Sequence, residues 1–458
     1  MKTPGSLLNS NEPNPSSKKF VRNNSSSAQL KTPNLLIGDS GGNLFDLPDY
    51  DMACMSARAI QRVRTEELIE LPQGSQLYYL PGRKAVGYHR KTGKETALND
   101  VFAVAAYIPP SYSHYALSAY EMTKASPRLP LFSYTAVGFL NGRYYVPAVH
   151  IDDAVKQLPT VFDTDEVEKK VRELTGKFPG NRLIAHHGSK CAIQYGCANA
   201  KNLFLNRWEA PIAVASACNA NCVGCISFQP QDSVPPAQNR LDFVPTVGEM
   251  VELAVPHLET AENAIISFGQ GCEGEPLLHG DLIARAIRAI RSKTSRGLLH
   301  INTNGSRPDT VEKLFEAGLD SIRVSMNSAQ PELYHRYYKP NNYTFDDVVQ
   351  SLILARKMNK FSSINYFVFP GITDSEREVD ALIKLIEKTQ LNLIQWRNLN
   401  IDPDWYLAEV CSDYFEPFIG VHNMMEKIRS IFPSVEFGYN NKSKEEIAAY
   451  QNSESAAT

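Results

Sequence analysis

The 458-residue chain is 43% hydrophobic with a formal net charge of −3, so it can bury a large core in two domains and has no basic excess of the kind that marks a nucleic-acid or anionic-membrane surface. No apolar run approaches the roughly 20 residues needed to span a bilayer, and Met1-Lys2-Thr3-Pro4-Gly5 lacks the apolar core of a secretory signal. Eight cysteines in such a chain point to metal or redox chemistry in a reducing cytoplasm rather than to a disulfide framework.

Residues 1–56 are rich in Ser, Asn and Pro, as in Asn9-Ser10-Asn11-Glu12-Pro13, and are predicted to be a disordered low-complexity tail, with Leu35-Leu36-Ile37 and Leu44-Phe45 as transient docking points. Residues 57–180 read as a β-rich accessory domain. Gln76 to Leu80, Gly87 to Arg90 and Val101 to Ile108 are strand-like, and Ser133 to Phe139 followed by Asn141-Gly142 and Tyr144 to Val149 is a hairpin, because Asn-Gly tolerates the positive φ angles of a type I′ turn. Asp163 to Phe178 is predicted helical, with Asp163 as cap and an acidic first turn. Residues 181–209 form a connector carrying His186, His187, Cys191 and Cys197.

Next comes Cys218-Asn219-Ala220-Asn221-Cys222-Val223-Gly224-Cys225, a C-x3-C-x2-C array just beyond the apolar run Ile212 to Ala217. A loop this short can present three thiolates to one face of an iron–sulfur cube. Such clusters usually have four cysteine ligands, and no fourth cysteine follows nearby. A structural zinc site, with Cys272 completing the set from a distance, is the competing reading. The array resembles the cluster loop of the radical S-adenosylmethionine (SAM) enzymes. The resemblance implies that Cys218, Cys222 and Cys225 hold a [4Fe–4S] cluster whose open iron binds SAM. It further implies reductive cleavage to a 5′-deoxyadenosyl radical that abstracts hydrogen from a substrate, fed by a reductant such as flavodoxin or ferredoxin.

From 210 to 400 strands alternate with helices: Ile212 to Ala217, Ala264 to Phe268, Leu299 to Asn302, Ser321 to Met326, Ser363 to Phe369 and Leu393 to Trp396 are the six strand-like runs. This pattern argues for a parallel sheet, and with the resemblance for a partial (β/α)6 barrel of the radical SAM type, an α/β fold. Residues 401–440 are then a C-terminal extension and 441–458 a tail.

In such barrels chemistry gathers at the carboxyl ends of strands. Gly274-Glu275-Pro276 resembles the family's glycine-glycine-glutamate-proline motif, with Glu273 in place of the first glycine; this implies that Gly274 and Glu275 contact the SAM amine. Thr303-Asn304-Gly305 resembles the endings of the third strand, making Asn304 a SAM contact, and Ser325 on the polar face shared by Arg323 and Asn327 is another. Pro370-Gly371-Ile372-Thr373-Asp374 resembles a loop of several subfamilies that borders adenine, although Asp374 also suits a helix N-cap. Gln395 and Arg397 point from the sixth strand toward where substrate would sit. The position before the third cysteine, aromatic in most of the family, is Gly224 here, and Phe228 is the available replacement.

Cys191, Cys197 and Cys272 offer ligands for an auxiliary iron–sulfur cluster. The C-x5-C spacing is not diagnostic, however, and free cysteines are commonly buried, so packing thiols are the preferred reading for Cys191 and Cys197, with Cys272 a candidate catalytic hydrogen or proton donor. The two histidines read as hydrogen-bonded connectors. For substrate, a peptide presented by strand addition to the aromatic β-rich domain leads, followed by a small metabolite, then tRNA. A catalytically silent iron–sulfur or zinc scaffold is the non-enzymatic alternative.

Overall fold

The computed structural model describes residues 31–231, 233–413 and 416–457. The N-terminal part is an antiparallel β-domain closed on itself. Asn34–Gly38 pairs with both Leu44–Ser56 and Glu95–Tyr107, and those two are joined through Gln76–His89, so four strands complete a ring. The hairpin of Gly138–Leu140 and Arg143–His150 adds to it, turning at Asn141 (φ 51°) and Gly142 (φ 80°), both positive as a type I′ turn requires.

The expected disordered tail of 1–56 is therefore corrected: residues 1–30 lie outside the described residues, but 34–56 supply two strands of the β-domain. Leu35, Leu36 and Ile37 are 3–6% exposed, and Met52 to Met55 are likewise buried. The polar composition of 1–30 had masked this short apolar run, which pairs not only with the adjacent Leu44–Ser56 but also with Phe102–Ala103 and Gly138–Phe139 far downstream. The β-domain consequently begins at Asn34 rather than at 57.

Thr164–Lys177 is a helix capped by the Asp163 carboxylate, which accepts from the Glu166 amide. The connector 181–209 is folded, not loose: Arg182–His186 is helical, His187–Gln194 is a π-helix and Ala198–Phe204 is an α-helix. It leads into a sheet of seven parallel strands in chain order: β1 (Glu209–Ile212), β2 (Ile265–Phe268), β3 (Leu298–Thr303), β4 (Ser321–Met326), β5 (Phe361–Val368), β6 (Leu393–Asn398) and β7 (Glu436–Gly438). Each strand after β1 is reached by a crossover containing a helix, as parallel pairing demands.

The sheet thus has one strand more than the six expected. β7 comes from 401–440, assigned as an extension, and its three residues are too short to register as a strand in sequence. The supposed tail 441–458 contains the helix Lys444–Ala457. Its Ile447 and Tyr450 pack on Ile265, Leu298, Phe361 and Leu393, the first residues of β2, β3, β5 and β6, and so close the amino end of the barrel. Asn441 reaches across to Glu209 on β1 at 2.9 Å, bridging the two edges of the open sheet.

The β-domain docks on the opposite, carboxyl end. Ala57 donates to the Pro370 carbonyl just after β5, and the His114 amide donates to Asn398 Oδ1 at the end of β6. A buried ion pair joins Arg83 to Asp402 at 2.7 Å, with the side chains 1% and 2% exposed. Gly371 (φ +88°) allows this approach, since a Cβ there would lie 2.4 Å from the Ala57 nitrogen. The Pro370–Asp374 loop, read from sequence as an adenine neighbour, is therefore part of the domain junction. Asp374 accepts from the Gly371 amide within the loop, while Ser375 caps the following helix.

Candidate active site at the carboxyl end of the parallel sheet

The three-cysteine loop leaves the carboxyl end of β1 and is tied down from three sides. The amides of Asn221 and Val223 donate to the carbonyls of Tyr338 and Tyr337 at 2.8 and 2.9 Å, at the end of the helix Pro331–Tyr338, an element the strand-and-helix pattern did not reveal. Asn219 donates to Ser306 and accepts from Asn304, 2.9 and 2.8 Å, which fastens the loop to the turn after β3. From β2 comes the third tie: the Gly274 amide donates to Ala215 at 2.7 Å and the Glu275 amide to Ala217 at 2.9 Å. A Cβ at Gly274 would lie 1.9 Å from the Ala217 oxygen, so only glycine permits the contact.

Cys218, Cys222 and Cys225 are all half-buried and free of disulfides. Burial pushes the Cys218 thiol up to about 11 and Cys222 well above its usual range, the latter also through the neighbouring thiols. Thiolates here need a cation to offset that cost. Arg240 supplies one contact, its Nη2 lying 3.7 Å from Cys225 Sγ while its Nε donates to Ser227 at 3.2 Å. Among the described residues the only trio of metal-ligating groups within 4.8 Å of one another lies elsewhere. At least one pair of the loop thiols is therefore wider than two Zn–S bonds of ~2.3 Å can span. A single zinc ion does not fit this array, and three thiols on one short loop are a donor set that a [4Fe–4S] cluster accepts. Three thiolates without a fourth are the donor set that leaves one iron open.

Around the loop, the glutamates turn inward. Glu273 accepts from the amides of Val214, Ala215 and Gln270 at 2.6–2.9 Å, so the residue in place of the first glycine fastens β2 to the exit of β1. Glu275 accepts from the Leu277 amide, the Thr303 hydroxyl and the Asn304 amide. It is 3% exposed, and burial raises its carboxyl to about 7, that of Glu273 to about 8. These bonds tie the Glu275 carboxylate, expected from sequence to contact the SAM amine, to the turn after β3. Asn304 is 6% exposed and bonded to Asn219. Ser325 is half-buried on β4, in register with Asn365 of β5.

Gly224 is explained by Tyr337. A Cβ there would lie 2.9 Å from the Tyr337 hydroxyl and 3.4 Å from Ile401, so that space belongs to side chains from other elements. Phe228, proposed as a substitute, is 49% exposed beneath Arg240. Cys272 is 3% exposed with its thiol 3.4 Å from Cys191 Sγ. Arg240 and Tyr337 are the residues sequence reading missed. Neither lies in a motif, and long-range packing alone brings them to the loop.

Below the loop the sheet's inner face is polar. Asn302 bonds back to β2 through Ser267 Oγ and the Gly269 carbonyl. Arg323 donates to Gln395 Oε1 at 2.6 Å and to Asn441 Oδ1 at 3.2 Å, and Arg397 shares the same Gln395 oxygen at 2.9 Å. The Nε atoms of both arginines and Asn365 Oδ1 are buried without a protein partner. Burial, followed by the charge of Arg397, lowers Arg323 to about 9, with Glu209 the carboxylate that offsets it. No helix among the described residues is long and apolar enough to cross a membrane.

Residues 212–383 match the family model of the Radical SAM superfamily. A GTP 3′,8-cyclase from Haemophilus influenzae is 29% identical over 170 residues, covering 36% of this chain and 47% of that protein. A dual-specificity RNA methyltransferase RlmN from Oleidesulfovibrio alaskensis is 27% identical over 143 residues, 30% of this chain and 40% of the relative. The chain thus spans about half, or less, of the length of these curated relatives. Among solved structures, Streptococcus suis SuiB bound to precursor peptide SuiA superposes with a TM-score of 0.35 at 13% identity, covering 52% of each chain. With its three-cysteine loop on the first strand of a parallel α/β sheet and this match over 212–383, the α/β part of the chain matches the radical SAM superfamily, for which a [4Fe–4S] cluster and SAM are the typical cofactors.

Proposed function

We propose that this protein is a radical SAM enzyme acting on a small substrate that carries a carboxylate or phosphate group. In this reading Cys218, Cys222 and Cys225 hold the [4Fe–4S] cluster, the backbone of Gly274-Glu275-Pro276 borders the SAM amine, and Asn304 and Ser325 line the SAM pocket. When bound and reduced by a donor such as flavodoxin or ferredoxin, cluster and SAM supply the 5′-deoxyadenosyl radical that abstracts hydrogen from the substrate. The chain's own part is to hold the reactants in one geometry and exclude water. The β-domain, docked on the carboxyl ends of β5 and β6, serves the exclusion.

The observation that carries the substrate class is the pair of guanidiniums in the lumen. Glu209 is the one carboxylate among the groups acting on Arg323, Arg397 adds a second positive charge beside it, and each arginine keeps a buried Nε without a protein partner. A bound anion would satisfy both charge and donors. Strand addition of a peptide has less support. The strands at the two ends of the β-domain's pairing order are Leu68–Glu70 and Tyr120–Met122, three residues each, which is a poor template for an extended chain.

Reconstituted, reduced holoprotein tests the reading. It should convert SAM to methionine and 5′-deoxyadenosine, and the rate should rise with an anionic small-molecule fraction of a cell extract. Arg397→Gln should lose that stimulation while keeping uncoupled SAM cleavage. Stimulation confined to a peptide or RNA fraction would refute the substrate class, and the absence of any nucleoside product would return the chain to the scaffold reading.

A further inference from the structure

We infer that His186, Cys191 and Cys272 form a zinc site that pins the connector to the loop leading into Gly274-Glu275-Pro276. A ring nitrogen of His186 and the two sulfurs lie within 4.8 Å of one another. The sulfurs are 3.4 Å apart, close to the ~3.8 Å that two tetrahedral Zn–S bonds of ~2.3 Å produce. Both cysteines are nearly inaccessible, at 2% and 3% exposure, and His186 Nε2 is buried without a hydrogen-bond partner. Two thiols and one imidazole converging on a common point form a soft donor set that suits Zn2+ and not an oxygen-seeking cation.

The backbone supports the same assignment. Cys191 sits inside the π-helix His187–Gln194, a rare geometry that is concentrated at functional sites. A regular α-helix would rotate Cys191 relative to His186, so the wider turn positions the ligand. Cys197 shares the neighbourhood, close enough for the charge of Cys272 to act on it, but lies outside the trio that converges within 4.8 Å. Binding displaces the two thiol protons to solvent and involves no redox step.

The consequence for the fold is local. Cys272 is followed by Glu273, which organises the exit of β1, and by Gly274, which packs on the cluster loop. Zinc would therefore lock the β2 loop from its far side, distinct from the three-cysteine array.

The test uses the full-length chain with Cys218→Ala, Cys222→Ala and Cys225→Ala, so that the cluster loop contributes no metal. After incubation with zinc sulfate and desalting, mass-spectrometric metal analysis should give one zinc per chain, lost when Cys191→Ser and Cys272→Ser are added. Should that variant fail to fold by circular dichroism, His186→Ala decides. It should release zinc to a chromogenic chelator more readily by at least the roughly 10–100-fold that loss of even an outer-shell partner costs. Zinc absent from the parent, or held equally well by His186→Ala, would overturn the site. Iron and sulfide bound there after anaerobic reconstitution, with no zinc taken up, would overturn the zinc assignment in favour of an auxiliary cluster.

Discussion

Gly274→Ala isolates the contact that joins the β2 loop to the cluster loop. The added Cβ would lie 1.9 Å from the Ala217 oxygen and 2.4 Å from its carbonyl carbon, both backbone atoms that cannot rotate aside. Relief requires the two segments to part, which breaks the Gly274–Ala215 and Glu275–Ala217 hydrogen bonds. These are worth about 1 kcal/mol each, and overpacking a tight site adds about 1–3 kcal/mol. The expected destabilisation is therefore about 3–5 kcal/mol, a large share of the ~5–15 kcal/mol that holds a typical domain. Equilibrium urea unfolding gives the stability change, and iron content after reconstitution shows whether the displaced loop still presents its thiols. Gly176→Ala is the control: it lies in the helix Thr164–Lys177 with nothing within 4 Å of its added Cβ, so it should stabilise by about 0.5–1 kcal/mol. A Gly274→Ala protein within ~1 kcal/mol of the parent, retaining full iron, would refute the claim that the Ala217 carbonyl demands glycine.

At the domain junction, Asp402→Ala leaves Arg83 buried with Asp404, 3.6 Å away, as its remaining carboxylate and removes the acceptor of the Leu129 amide; the expected loss is about 3 kcal/mol, the low end for a broken buried pair, and an unfolding midpoint matching the parent's would contradict it. Acid should weaken the connector through Glu249, whose carboxyl is lowered from 4.5 to about 2, first by the Arg182 hydrogen bond. A depressed acid contributes stability that is present above its unfolded value and is lost as pH falls from about 4.5 toward 2. Glu249→Gln should flatten that part of the stability–pH curve, and an unchanged curve would show that Arg182 does not hold the carboxylate.

Local pattern made the barrel legible because a parallel strand and its returning helix each leave a periodic signature within a dozen residues. The six strand-like runs correspond to β1 through β6, shifted by a few residues. β1 begins at Glu209 and ends at Ile212, where the expected strand began, because Glu273 takes the amides of Val214 and Ala215 that a strand would have paired. Elements whose signal is shorter than one period were not legible: β7, with three residues, and Asn34–Gly38, isolated in polar sequence.

By itself the sequence determined the order of β-rich and α/β parts, the three-cysteine loop, and the glycine–glutamate–proline turn after β2, since each depends on residues adjacent in the chain. Tertiary structure alone decided what those features meet. It set Tyr337 against Gly224, Arg240 against Cys225, and two arginines around one glutamine oxygen. It also turned Cys272 toward Cys191, 81 residues away, which no spacing rule anticipates. The reason is physical: a turn or helix is specified by neighbours along the chain, whereas burial and charge pairing depend on which surfaces the closed sheet brings together.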